Sequence, residues 1–342
     1  MKKYDVIIVG CGPAGVAAAN ILKQNNINFC IIEKNKFPRE KLCGGGLTHK
    51  STSLLNKLNF SLDEINYKKS KEVEFFAKNL KISVTLTNEI VMVDRLEFDY
   101  NNLKQVINNN IFEKESIISI ESNILITDKE KYEFKYIIFA DGVNGFSKRL
   151  IKNRNFGFCV EYNSEIQTDK IILDFCAIES GYGWVFPKVN HTTIGIGKFN
   201  DKKVDYQKLL RDFAKKHSFE IDKTKIRGYH IPVFSKKIYK RSVIDNKYIL
   251  VGDSASLVDQ VSGEGIYYAL ASGKAAAESV VTCLIGNQNL KSTYFNKSKT
   301  IYKQLCRRNF LSKLLYSKYG IFFIKLCLNN KYFIKCLNRM FG

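Results

Sequence analysis

Four apolar residues in a row, Val6-Ile7-Ile8-Val9, stand between a polar start and a glycine turn. The same unit returns as Tyr136-Ile137-Ile138-Phe139-Ala140 before Asp141-Gly142, and as Tyr248-Ile249-Leu250-Val251 before Gly252-Asp253. Continuous apolar runs bounded by turn residues read as strands buried on both faces, the pattern of a parallel sheet. Asn28 to Ile32 reads as another such strand, and Ala14 to Lys23 between them has helical character. A second helix, dense in Ala, Ser and Gly, is predicted from Ile266 to Leu284. Two other stretches have a different period. Lys71 to Thr87 alternates in part, with Val73, Phe75, Ile82, Val84 and Leu86 on one phase, and Ile171 to Phe199 places Tyr182, Trp184 and Phe186 at alternate positions. Such alternation predicts antiparallel strands in a sheet of their own.

The chemistry attached to this pattern begins at Gly10-Cys11-Gly12-Pro13-Ala14-Gly15, which follows a strand and opens a helix. In that context Gly10 permits a tight turn, Gly12 lets a pyrophosphate approach the backbone, and Gly15 lets helix and strand pack closely. The helix N-terminus offers unpaired N–H groups and partial positive charge to a diphosphate. Glu33, with Lys34 beside it, ends the second strand about 20 residues on, where an acid accepts from ribose hydroxyls. NAD and FAD use the same turn, so this unit leaves the dinucleotide open. Asp141 and Asp253 stand at the carboxyl ends of later strands, where ligands bind in open α/β sheets, and Asp253 is placed for a polyol such as ribityl. Gly263-Glu264-Gly265 then leads into Ile266. A helix starting there aims its positive end at the cofactor ring, which suits a reduced flavin.

Composition narrows the picture. With 342 residues, 45% of them hydrophobic, and 24 Phe and 18 Tyr, about two domains with a real core are expected. Nine cysteines form no C-x-x-C pair and four histidines are scattered, so no metal site is expected and the thiols read as reduced and cytoplasmic. The N-terminal apolar run, followed at once by the glycine turn, reads as a buried strand and not as a signal peptide. The net charge of +21 follows a general abundance of Lys, and no nucleic-acid module is visible. From Thr300 the tail has many Lys and Arg and no acid, mixed with Phe310, Leu311, Leu314, Leu315, Phe322, Phe323, Phe333 and Ile334. Lysines interrupt it before the about 18 apolar residues a membrane span needs, so it is suited to a membrane surface or to packing on the core.

Cys43 precedes Gly44, Gly45 and Gly46. A lone cysteine more often fills space, but beside a flexible turn it is free to lie against a ligand. The set Gly10 to Gly15, Asp141-Gly142, Gly252-Asp253 and Gly263-Glu264-Gly265 resembles the FAD domain of the flavin hydroxylase superfamily. Lys41-Leu42-Cys43-Gly44-Gly45-Gly46-Leu47 and Gly181-Tyr182-Gly183-Trp184-Val185-Phe186-Pro187-Lys188 resemble, more narrowly, the geranylgeranyl reductase family. The segment after Asp141-Gly142 departs from that pattern, with Gly145 after Asn144 and the basic residues at Lys148 and Arg149.

The resemblance implies an α/β fold in which a Rossmann-like FAD-binding domain (1–60, 90–155 and 240–290) receives an inserted, mostly antiparallel β-sheet substrate domain (61–89 and 156–239). A basic helical tail (291–342) follows. It implies FAD held by Gly10, Gly12, Pro13, Ala14, Gly15, Glu33, Lys34, Cys43, Gly44, Arg95, Asp141, Gly142, Gly252, Asp253, Gly263, Glu264, Gly265 and Ile266. It also implies an apolar channel lined by Tyr182 and Trp184, suited to a prenyl chain. Reduction of an isolated alkene needs hydride from the flavin and a proton from the protein, for which Cys43 is the candidate and Tyr182 the alternative. The same architecture also serves FAD-dependent monooxygenases of small aromatic molecules. No second dinucleotide motif is visible, so electrons are expected from transient NAD(P)H or from a ferredoxin.

Overall fold

A computed structural model of the chain describes residues 1–78, 80–106, 110–152, 155–200, 203–317 and 320. The expected tail residues Phe322, Phe323, Phe333 and Ile334 lie outside them. Among the described residues the apolar runs form a six-stranded sheet in the order Val243–Ile244, Tyr248–Leu250, Tyr136–Phe139, Val6–Val9, Phe29–Glu33 and Ile111–Glu113. All neighbours are parallel except the Val243–Ile244 edge. Val6–Val9 is buried at every position, as a strand covered on both faces must be.

The Pro13–Gln24 helix packs on one face of this sheet together with the Ile266–Gly286 helix. Small residues make that contact possible. A Cβ at Gly273 would lie 2.0 Å from the carbonyl oxygen of Ala14, so only glycine lets the two helices approach so closely.

The alternating stretches build an eight-stranded sheet in the order Arg227–Pro232, Phe156–Ser164, Thr192–Lys198, Gly181–Pro187, Ile171–Asp174, Tyr67–Ala77, Leu80–Val93 and Gly46–Leu47. It is antiparallel apart from the pairing of Ile171–Asp174 with Tyr67–Ala77. One face, carrying Val160, Val185, Ile194 and Ile196, is covered by the Tyr206–Lys216 helix through Leu210 and Phe213. The other face turns toward the nucleotide-type sheet. The Leu80–Val93 strand runs on through Val93, across the boundary expected at 89/90, and pairs with Gly46–Leu47, which begins at the last of the three glycines. A small four-stranded sheet of Lys2–Lys3, Lys131–Glu133, Ile124–Thr127 and Ile117–Glu121 was not foreseen. Its strands are short and only partly buried, so their apolar pattern is faint.

The tail begins as two helices, Leu290–Lys297 and Lys299–Leu315. No helix among the described residues is long and apolar enough to cross a membrane.

Candidate cofactor and substrate site

One cavity of about 970 Å³ runs between the two large sheets, from the Gly10 turn to the aromatic strand. At its first end the chain turns sharply after Val9. Gly10 has φ +91°, and a Cβ there would lie 2.6 Å from the Ala140 carbonyl oxygen. The Pro13–Gln24 helix starts beside it with Pro in the first turn and no side-chain cap. Its N–H groups and dipole therefore face the cavity. The Ile266–Gly286 helix opens on the same cavity, again without a side-chain cap. Glu33 is buried, accepting from Cys11 N–H at 3.1 Å and from Asn35 N–H at 2.9 Å.

Nearly all the expected site residues line this cavity: Gly10, Gly12, Pro13, Ala14, Glu33, Lys34, Cys43, Gly44, Arg95, Asp141, Gly142, Asp253, Gly263, Glu264, Gly265 and Ile266, together with Tyr182 and Trp184. Gly15 and Gly252 stand behind the wall. Gly15 lies against the Gly10 carbonyl, and Gly252 against Ala14 and Ala269.

Several of these side chains are already engaged with the protein. The Asp141 carboxylate accepts from Ser147 N–H at 2.8 Å and from Ser147 Oγ at 2.7 Å. Gly145, the departure from the family pattern, leaves room for this, since a Cβ there would lie 2.1 Å from that carboxyl group. The Glu264 carboxylate accepts from Thr48 Oγ1 and from Lys50 Nζ at 2.8 Å, tying the segment after the triple-glycine turn to the helix start at Ile266. Arg95 is buried and donates through Nε and Nη2 to Asp99, at 2.9 and 2.8 Å, with the Cys43 thiol beside it. Burial opposes its charge, but Asp99 and Cys43 outweigh that and raise its pKa.

The far end is an aromatic chamber. Tyr182, Trp184 and Phe186 share one face of the Gly181–Pro187 strand, with ring centroids 5.8 and 6.3 Å apart along the row. Phe199, Leu173, Ile171, Ile90 and Met92 complete the apolar lining. Trp184 lies across the neighbouring strand because Gly195 is its partner there, and a Cβ at Gly195 would come within 2.2 Å of the indole. The indole N–H is buried and has no hydrogen-bond acceptor among the described residues. The Tyr182 hydroxyl donates to the Ser262 carbonyl at 2.7 Å, so its proton is committed to the loop before the Ile266 helix, and burial raises its pKa.

Sequence reasoning missed four groups around this chamber. Arg39 approaches the glycine turn, with Nη2 3.6 Å from where a Gly12 Cβ would sit, and ion-pairs with Asp99 at 3.1 Å. Cys159 lines the chamber beside Tyr229. Glu161 is one cross-strand row further, opposite Gly195 and in line with Trp184. Burial raises its pKa, while Arg227, Lys188, the Tyr229 hydroxyl and the Cys43 N–H oppose the rise. Lys188, at 2% exposure, donates from Nζ to Gly44 O at 2.5 Å and to Val93 O at 2.7 Å, and burial pulls its pKa down to about 8. Lys188 was visible in the motif, but only the fold shows what its ammonium holds.

The cavity suits a long, polar cofactor with a reactive ring at one end. Bare backbone and helix dipoles meet the polar part, and a dry aromatic chamber meets the ring and whatever reacts with it. A cleft of this kind opening on an apolar chamber fits a dinucleotide-dependent oxidoreductase. Comparison with known proteins narrows the class. The pyridine nucleotide-disulphide oxidoreductase family matches residues 4–170. An uncharacterized protein of Methanosarcina barkeri is 32% identical over 94% of this chain and 86% of its own length. The chloroplastic geranylgeranyl diphosphate reductase of Arabidopsis thaliana is 26% identical over 85% of this chain and 68% of its own. The digeranylgeranylglycerophospholipid reductase of Picrophilus torridus is 26% identical over 90% and 85%. Among solved structures, a geranylgeranyl bacteriochlorophyll reductase-like protein of Thermoplasma acidophilum superposes with TM-score 0.80 at 19% identity over the whole of both chains. The flavin-dependent brominase Bmp2 superposes with TM-score 0.76 at 16% identity over 98% and 94%. The chain belongs to the geranylgeranyl reductase family of flavoproteins.

Proposed function

We propose that this protein saturates carbon–carbon double bonds in the prenyl chain of a lipid or isoprenoid. The observation that carries the reading is the aromatic chamber continuous with the cofactor cleft, with the Cys43 turn at the junction between them. In this reading Gly10, Gly12, Pro13, Ala14 and the helix start behind them receive the diphosphate of FAD. Glu33 receives the ribose, Asp253 the ribityl chain, and the helix start at Ile266 the pyrimidine edge of the flavin. When bound and reduced, FAD supplies hydride.

The chain's own residues do the rest. Tyr182, Trp184 and Phe186 hold the apolar prenyl chain and keep water from it. The carbon next to the hydride acceptor needs a proton, and Cys43 is the group with a proton to give at that point. Tyr182, its hydroxyl donating to Ser262, holds the rim of the chamber. The relatives that act on geranylgeranyl groups support this substrate class.

The test is anaerobic. Dithionite-reduced, FAD-loaded protein is mixed with a geranylgeranyl lipid, and the product is weighed by mass spectrometry. Gains of two hydrogens per double bond are expected without oxygen. Cys43→Ser should bind FAD normally and turn over about 100-fold more slowly. A product formed only with oxygen would replace this reading with flavin monooxygenation. Full turnover by Cys43→Ser would remove the thiol from the mechanism. We also propose that the basic tail rests on a membrane surface, where a lipid substrate resides.

A further inference from the structure

The turn that carries Cys43 has little of its own to stiffen it beyond the Gly45 N–H, which donates to Cys43 Sγ at 3.4 Å. A Cβ on Gly44 would lie 2.7 Å from the Phe186 ring, and one on Gly45 would lie 2.2 Å from the Val93 carbonyl oxygen and 2.4 Å from Lys188 Nζ. Gly45 also has φ +67°, a conformation side chains disfavour. Glycine at positions 44 and 45 is therefore a steric necessity, and with Gly46, the first residue of the strand Gly46–Leu47, it makes the most mobile kind of segment that a chain can make. A thiol meant to meet one carbon atom tolerates little motion, since a displacement of about 1 Å costs on the order of 100-fold in rate.

The restraint comes from behind, from the eight-stranded sheet. Lys188 Nζ donates to the carbonyl of Gly44 and, at the same time, to that of Val93 in the adjoining strand. The Glu161 carboxylate faces the N–H of Cys43 from the same sheet, near enough for that N–H to hold its pKa down against the rise from burial. Lys188 thus holds the C=O of Gly44 at one end of a short stretch, and Glu161 faces the N–H of Cys43 at the other. Both are buried, at 3% exposure for Glu161 and 2% for Lys188, and neither lines the cavity. Taking such charges out of water costs several kcal/mol each unless they are well paired. Apolar residues at both positions would serve the sheet better, so the charges point to a task at the turn.

We propose that Lys188 and Glu161 are positioning residues, a lock carried by the substrate sheet that fixes the Cys43–Gly44 stretch and aims the Cys43 thiol into the chamber. This rests on reading Cys43 as the working thiol of the reduction proposed above. The lock does not depend on the charge of Lys188, because a neutral amine retains two N–H groups for its two carbonyl partners.

The experiment uses the full FAD-loaded chain. Alkylation of Cys43 by iodoacetamide is followed at peptide level by mass spectrometry, with half-buried Cys176, which does not line the cavity, as internal reference. Deuterium exchange of residues 42–46 is followed alongside. In the wild type, the Cys43 amide should exchange about as slowly as the paired residues of the neighbouring Leu80–Val93 strand. In Lys188→Met and Glu161→Leu, exchange of this segment should rise about tenfold or more, and the Cys43 alkylation rate should change about tenfold while that of Cys176 stays put. Glu161→Gln, which keeps an acceptor oxygen, should remain within about threefold of wild type. Alkene reduction by Lys188→Met should lose about 10- to 100-fold in kcat with KM within about threefold.

Fast exchange of the Cys43 amide in the wild type would overturn the lock without any variant. Unchanged exchange and alkylation in folded Lys188→Met and Glu161→Leu would do the same. A locked thiol in a protein that reduces no alkene would overturn the proposed reaction and leave the lock standing.

Discussion

Lys188 concentrates the residue-scale question of how a buried cation behaves in an apolar setting. Its pKa of about 8 lies below the ordinary lysine value near 10.4, so the folded protein releases this proton before the unfolded chain does. Between about pH 8 and 10.5 the unfolded state therefore binds more protons, and this residue's contribution to stability rises with pH. Below pH 8 the penalty is present in full, on the order of 3 kcal/mol. The buried thiols of Cys11 and Cys159 and the Tyr182 phenol have raised pKa values and act oppositely, losing stability above pH 9 to 10. They are common to wild type and variant, so they cancel in a difference. The unfolding free energy of Lys188→Met minus that of wild type should become more positive by about 3 kcal/mol from pH 10.5 down to pH 8, then level off. Urea titrations read by the fluorescence of Trp184, the only tryptophan, give that difference directly. A difference independent of pH would mean that Lys188 is not desolvated. Residues like Lys188 mark the limit of what sequence can convey. Gly10 and Glu33 were legible because their task depends on neighbours in the chain. The partners of Lys188 are Gly44 and Val93, distant in sequence, and no local pattern encodes them.

At the scale of elements, the alternation of the Gly181–Pro187 strand was legible, and so was its aromatic face. What it packs against was not. Trp184, Gly195 and Glu161 lie in one cross-strand row, and Tyr182, Gly197, Cys159 and Tyr229 in the next. These rows exist only once register is fixed, and a one-residue slip would send Glu161 and Cys159 to the helix-covered face. The glycines of Ile194-Gly195-Ile196-Gly197 read in the sequence only as part of a strand. In the fold they are the floor on which the indole lies. Gly195→Ala puts a methyl group 2.2 Å from the ring as it now stands, so the indole must tilt into the chamber. We expect a loss of about 1–3 kcal/mol in stability, unchanged FAD content, and a rise in KM for a prenyl substrate greater than any loss in kcat. The diphosphate end of the cavity, at the Gly10 turn, lies away from this contact, so reduced FAD content would show that the two ends are not separable. The small sheet built on Ile117–Glu121 escaped notice for a related reason: its strands are short, such as the four residues of Ile124–Thr127 and the three of Lys131–Glu133, and each is only partly buried.

At the scale of the whole molecule, the tail connects the chamber with the outside. The inner side of the Lys299–Leu315 helix buries Ile301 and Leu305, and Arg308 pairs with buried Asp259 at 3.3 Å. Just beyond the helix, Tyr316 stacks near Phe199 at 5.7 Å and donates to the Val261 carbonyl at 3.3 Å. Those contacts hold the loop whose Ser262 receives the Tyr182 hydroxyl, so the helix buttresses one end of the chamber. Its outer side is different. Lys303, Arg307, Phe310 and Leu311 follow one another at helical spacing and are exposed, Phe310 by 72%. An apolar pair beside cations is the arrangement that rests on anionic lipid, each cation near the surface contributing about 1 kcal/mol. A chain-like substrate leaving such a membrane would then meet the molecule at the helix that borders its chamber. Vesicles rich in phosphatidylglycerol should sediment the wild-type protein, and less of it in 0.5 M salt. Phe310→Asp with Leu311→Asp should cut the bound fraction at least about fivefold without changing FAD content, because neither side chain touches the cleft. Equal sedimentation of the two proteins would take the membrane away from this face of the tail and leave the helix its structural task alone.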